Sequence, residues 1–166
     1  FFIDGISLFD VDVADNVMLL TVEATNGTVS LNHDLLEDNS SITFVMGDGI
    51  LDNVLSIESD LDNLQMAMDE LSFISNSNYS GLASINFTLN DLGGSGSGGE
   101  QIENELLSFY VYPINDAPII SYPSIDLIGT EDEIYYLSGI SVDDVDINDG
   151  FDKILTSYLL KRQKMF

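Results

Sequence analysis

The octapeptide Gly5-Ile6-Ser7-Leu8-Phe9-Asp10-Val11-Asp12 returns 134 positions later as Gly139-Ile140-Ser141-Val142-Asp143-Asp144-Val145-Asp146, with six of eight positions identical. A unit that begins again before the chain ends confines the fold to a repeating domain of about that period. Each echo also carries an Asp-Val-Asp triplet. On a strand, residues i and i+2 share a side, which sets the two carboxylates about 7 Å apart. With no basic residue nearby, such a pair repels itself unless a cation lies between. The pattern predicts a repetitive, metal-organised array and not a free-standing enzyme.

The 166 residues hold 29 Asp and Glu against four Lys and Arg. All four basic residues (Lys153, Lys161, Arg162, Lys164) fall in the last 14 positions, and every acidic residue lies at or before Asp152. That excludes a phosphate-tracking nucleic-acid binder, which needs Lys and Arg to displace counterions, and it disfavours docking on an anionic membrane. Solubility or a salt-rich habitat would also favour an acidic surface, but neither explains why acids cluster beside one motif. The chain is not expected to be disordered: 45% of it is apolar, with nine Phe and seven Tyr, enough for a core. Cysteine is absent, so no disulfide framework holds it. No apolar run approaches the roughly 20 residues needed to span a bilayer. Phe1 already lies inside a repeat motif, so the chain is expected to be a piece of a longer array.

Strand-like runs dominate. Val17–Ala24 leads through Asn26-Gly27 into Thr28–Leu31, a hairpin signal. Ile42–Val45 precedes the Gly47-Asp48-Gly49 turn and then Val54–Glu58. Asp60–Leu71 is the one predicted helix, with Asp60 as N-cap and Leu61, Leu64, Met68 and Leu71 at helical spacing. Leu71–Ile74, Leu82–Asn90 and Leu106–Tyr112 resume the strand pattern. Gly93–Gly99 has the composition of a linker, but it sits between two strands ahead of a better boundary and is expected to be a hairpin loop. That boundary is Pro113-Ile114-Asn115-Asp116-Ala117-Pro118, where two prolines bracket an Asn-Asp turn pair. Seven or more short strands at this spacing suggest a β-sandwich. The expected organisation is a repeat over 1–117, lacking its extreme N-terminus, the start of a second over 118–152, and an atypical basic tail over 153–166. Residues 119–166 are too few to bury a full sandwich core, so weak stability is predicted there.

At Asn115-Asp116-Ala117-Pro118, followed by Gly139-Ile140-Ser141 and Asp144-Val145-Asp146, the chain resembles cadherin-like tandem repeats of large surface proteins. Ile42–Asp52, Leu61–Leu71 and Asn76–Asp91 add to the likeness, which covers nearly all of 1–152. The resemblance implies an all-β, Ig-like or cadherin-like sandwich with one short helix, followed by the truncated start of a second repeat. It also implies extracellular or cell-surface placement and a role in adhesion or spacing. It further implies calcium near the inter-repeat junction: Asn115 and Asp116 from the linker, Asp144 and Asp146 from the following repeat. Asp91 matches a strand-end ligand of the first unit and is expected to meet Asp10 and Asp12. The chain departs from cadherins at Leu71-Ser72-Phe73-Ile74, where no carboxylate stands, and its linker is one ligand shorter. One ion per junction is therefore expected.

Calcium takes six to eight oxygens, and Asp, Asn and backbone carbonyls suit it. Extracellular modules bind it on the order of 10⁻⁴ to 10⁻³ M, so weak affinity is expected. Without a metal, Asp-Val-Asp is a solvated strand end and Asn-Asp an ordinary turn. Asp144–Gly150 fits an EF-hand loop poorly: its glycine comes one residue late, and Leu155 stands at the twelfth position. Gly47-Asp48-Gly49 with Asp52 reads as a turn, because calcium-binding nonapeptides need several copies to stack.

Enzyme signals are poor. His33 is the only histidine, no nucleophile signature surrounds a serine, and zinc is disfavoured without cysteine. Helix capping explains Asp60 and Asp62 better than a glycosidase pair. Tyr110 and Tyr112 are better read as packing residues than as a sugar platform. Four sequons (Asn26, Asn39, Asn78, Asn86) matter only in a eukaryotic secretory pathway.

The expected function is thus a non-catalytic extracellular module with calcium rigidifying the array. Its partners are neighbouring repeats, with other surface proteins or glycans as further candidates. The alternatives are a carbohydrate-binding accessory module of a secreted hydrolase and a passive acidic spacer.

Overall fold

A computed structural model describes residues 1–11, 16–32, 41–94, 97–123, 128–136 and 138–148, and among these residues lie ten strands and one short α-helix. The strands are β1 (Phe2–Ile3), β2 (Met18–Thr25), β3 (Gly27–Ser30), β4 (Thr43–Met46), β5 (Val54–Ser59), β6 (Leu71–Ser75), β7 (Gly81–Asn90), β8 (Ile102–Val111), β9 (Ile119–Ser121) and β10 (Ser141–Asp143). Helix α1 spans Leu61–Met68. The chain divides into two compact units, Phe1–Val111 and Tyr112–Phe166.

In the first unit, five antiparallel strands form a sheet in the order β4-β5-β2-β7-β8. Along β7 the period of two is visible: Ala83 and Ile85 are buried, and Phe87 and Leu89 pack against the same core. Ser84, Asn86 and Thr88 take the other face. A second sheet has the order β1-β6-β3 and is also antiparallel. Both sheets turn apolar side chains to one core. Leu20, Val22, Leu55 and Ile57 come from the larger sheet and Val29, Leu71 and Phe73 from the smaller. That is an antiparallel β-sandwich. Phe73 and Phe109 meet edge-on at 4.9 Å between ring centroids and join the two layers, a geometry that aromatic quadrupoles favour.

Helix α1 closes the sandwich with Leu64, Ala67 and Met68 buried. The Asp60 carboxylate caps it, accepting from the Asn63 N–H at 2.9 Å, which satisfies one otherwise orphaned donor. The helix ends earlier than its apolar spacing predicts. Glu70 takes a φ of 62° and turns the chain, so Leu71 is buried as the first residue of β6 instead of the helix's last contact.

The expected Asn26-Gly27 hairpin is overturned. β2 pairs with β5 and β7, whereas β3 pairs with β6, so the dipeptide carries the chain from one sheet to the other. Asn26 adopts φ 59° and is held by donating its side-chain amide to Tyr79 Oη at 2.9 Å and to the Leu82 carbonyl at 3.2 Å. Gly27 is obligatory for a different reason: a Cβ there would lie 2.3 Å from Phe73 Cζ and 2.4 Å from the Ile74 carbonyl. Asn-Gly suits a hairpin and a corner equally, and packing under Phe73 selects the corner.

The Gly/Ser segment is a hairpin loop, since β7 and β8 pair from Gly81↔Val111 to Asn90↔Ile102. In the second unit, β9 and β10 pair antiparallel with Val142 opposite Ile120, and a 3₁₀ turn covers Val145–Asn148. Ile119, Ile120, Tyr122, Ile140 and Val142 all remain exposed there. The expected basic tail, 153–166, lies outside the described residues.

Candidate metal centre

In the second unit the acidic motif is built as a staircase of carboxylates accepting from backbone. β10 ends at Asp143, whose Oδ1 accepts from the Asp144 N–H at 3.0 Å. Asp144 Oδ1 in turn accepts from the Asp146 N–H at 3.0 Å. Asp146 Oδ2 then accepts from the Asp116 N–H at 2.5 Å. Asn115 completes the group by donating its side-chain amide to the Asp116 carbonyl at 3.0 Å. The linker pair and the Asp-Val-Asp pair, 28 or more positions apart, therefore meet. Asp144 and Asp146 are half-buried, while Asn115 and Asp116 are exposed.

The geometry differs from the expected strand in one respect. Asp144 follows β10 and Asp146 lies in the 3₁₀ turn, so the pair does not sit on one strand face. The cause is local: an Asp side chain that bonds to the N–H two residues on offers the backbone an alternative to the ladder. Asp10 likewise lies outside any strand and is half-buried.

Asp91, in the first unit, is buried at the end of β7. Its Oδ1 accepts from the N–H groups of Gln101 at 2.7 Å and Gly93 at 2.8 Å. These two donors hold the carboxyl below its ordinary value, the Gln101 bond contributing most and burial opposing. Beside it, Asn90 Oδ1 accepts from the Leu92 N–H and its amide donates to Glu100. Asp91 thus staples the base of the Gly/Ser loop. Gly94, which follows this staple, lies beside Asn16: a Cβ added there would be 3.2 Å from Asn16 Cβ. Asp12, the third expected member of this site, lies outside the described residues.

Compared with known proteins, the chain matches no family model, no curated sequence and no solved structure.

The donor set of the second unit suits a hard cation. It is all oxygen, and a carboxylate oxygen that already accepts one N–H keeps a further lone pair for an ion. Asp144 and Asp146 would supply charged ligands, and the exposed Asn115 and Asp116 side chains the rest. Among the described residues no three acidic side chains already converge on one point, so these groups would reorient on binding.

One feature escaped the sequence reading: Asp143 joins the staircase, although the first echo has Phe9 at its place. The expected turn at Gly47-Asp48-Gly49 with Asp52 is present, Asp52 Oδ2 accepting from the Asp48 and Gly49 N–H groups. Of the sequons, Asn26 has its amide engaged as described and Asn39 lies outside the described residues. His33 also lies outside them.

Proposed function

We propose that the chain is a non-catalytic module of an extracellular or cell-surface array, in which calcium ties each linker to the repeat that follows. The observation carrying this reading is the bond from the Asp116 N–H to the Asp146 carboxylate, which puts the linker against an acidic turn. No Lys or Arg precedes position 153 to neutralise that turn. A bound cation would remove the mutual repulsion of Asp116, Asp144 and Asp146, so a linker that hinges freely would hold one angle. The cadherin-like identity of the sandwich belongs to the same proposal, supported by the motif order Asn-Asp-Ala-Pro, Gly-Ile-Ser, Asp-Val-Asp.

Calorimetric calcium titration of the whole chain, with magnesium and sodium at matched ionic strength, tests it. Heat of binding and a higher melting temperature in calcium alone are expected. No heat and no thermal shift up to several millimolar, the weak end of extracellular sites, sinks the metal assignment. An equal response to every salt marks a passive acidic spacer.

A second reading rests on the outer face of the five-stranded sheet. Ser56, Thr21, Thr88 and Asn104 form one cross-strand row. Within it Thr21 and Ser56 hydroxyls bond at 2.7 Å, and Thr88 donates to Asn104 at 2.7 Å. Thr21, Thr88 and Asn104 offer hydroxyls and an amide that suit a polysaccharide chain, and the exposed ring of Tyr110 stands on the same face six residues further along β8. Glycan binding that persists in chelator would favour a carbohydrate-binding accessory module.

A further inference from the structure

One strip of the first unit carries no charge. Strands β7 and β8 pair with Ser84 opposite Ser108, Asn86 opposite Leu106 and Thr88 opposite Asn104. Residues directly opposite in an antiparallel ladder share a face, so these rows lie on the outer side of the larger sheet. Leu82 opposite Tyr110 adds a fourth row. All these side chains are neutral, in a chain that holds 29 acids. The acids of β8 are turned away: Glu103 and Glu105 alternate with Asn104 and Leu106 and take the opposite face.

From Asn104 to Tyr110 the strip runs about 20 Å, at about 3.4 Å per residue. Its apolar members are open to solvent, Leu82 by 66%, Leu106 by 63% and Tyr110 by 52%. Its polar members keep bonding capacity. Asn104 uses its side-chain oxygen to accept from Thr88 at 2.7 Å, which leaves both amide hydrogens to donate. Ser108 is exposed, and a hydroxyl both donates and accepts. Apolar side chains alternating with an amide and a hydroxyl complement a pyranose chain, whose rings present C–H faces rimmed by hydroxyls.

The surrounding charge selects among such chains. Glu23 stands opposite Asn86 on the β2 side and accepts from its amide at 3.4 Å. With the net charge of −25, it repels a polymer of uronates or sulfates. A cationic polymer gathers where carboxylates are dense, and the strip has none.

We propose that this strip binds a neutral polysaccharide lying along β7 and β8. The proposal rests on the carbohydrate-binding reading of the sheet's outer face, narrows it in ligand class and place, and does not depend on calcium.

Affinity electrophoresis of the whole chain in chelator tests it, with hydroxyethylcellulose, dextran and galactomannan as neutral polymers and alginate as the anionic one. Retardation by at least one neutral polymer and none by alginate is expected. Tyr110→Ala and Asn104→Asp should each weaken that binding at least roughly fivefold. Both side chains are exposed, and unchanged circular dichroism would show that the fold survives. Retardation by alginate that equals or exceeds that by the neutral polymers, or undiminished binding in either variant, overturns the proposal and leaves the broader carbohydrate reading standing. No retardation by any of the four polymers overturns both.

Discussion

The Asp116 N–H donates to the carboxylate of Asp146, thirty positions further along the chain. A turn that binds its own linker this way is set by charge, and its response to cations follows from that.

Asp144→Asn and Asp146→Asn each remove one negative charge while keeping an oxygen acceptor. Calcium affinity, which depends on ligand charge count, should fall at least roughly tenfold in either variant. Calorimetry on each beside the unaltered chain checks this. The melting temperature in chelator should change little, because the backbone bonds survive with an amide oxygen in place.

Asp91 sets a pH dependence whose sign is fixed. Its folded carboxyl titrates below the ordinary 3.8 because the Gln101 and Gly93 N–H groups favour the charged form. On acidification the unfolded chain therefore takes up the proton first. The stabilisation from Asp91 is fully present above the ordinary value and is lost as pH falls through the lower folded value. Urea midpoints measured across the acid range should show this loss, and Asp91→Asn should flatten that limb.

Gly27→Ala tests the corner between the sheets. The new methyl would sit inside contact distance of Phe73 and the Ile74 carbonyl. Backbone has to shift, at a cost of about 1–3 kcal/mol, read as a lower urea midpoint with an unchanged slope.

Gln65→Ala frees the Ile6 and Leu8 backbone groups that its amide engages. A loss of about 1 kcal/mol is expected. Hydrogen exchange should localise it: the Leu8 amide loses protection while Leu20 and Val22, in the core of β2, keep theirs.

How far the sequence carries can be judged from particular elements. The strand runs near 18–25, 54–59 and 81–90 were legible because period-two burial writes itself into residue order. The path through Asn26-Gly27 was not, because positive φ at Asn26 serves a hairpin and a corner alike. Only Phe73, distant in sequence, decides between them. Helix α1 was overextended for a similar reason, since Leu71 keeps the apolar spacing after the backbone has already turned at Glu70. At the candidate site, the approach of the linker to the Asp-Val-Asp pair was anticipated from the motif order. The partners of the carboxylates were not: Asp91, Asp144 and Asp146 bond chiefly to backbone N–H groups, and these carry no signature in residue identity.

The single-residue passage at Asn26 also governs how the first unit assembles. It sends β2 to pair with β7, as at Leu19↔Asn90, and β3 to pair with β6, as at Gly27↔Ser75. Each ladder must close a long loop before any bond rewards it, and neither layer can be completed as a local hairpin. Topologies of this kind fold in about milliseconds to seconds, leaving β-rich apolar segments uncovered meanwhile. A chain with 29 carboxylates and no early cation repels its neighbours throughout that interval. Its acidity therefore acts before there is a fold, as protection against the aggregation that slow closure invites.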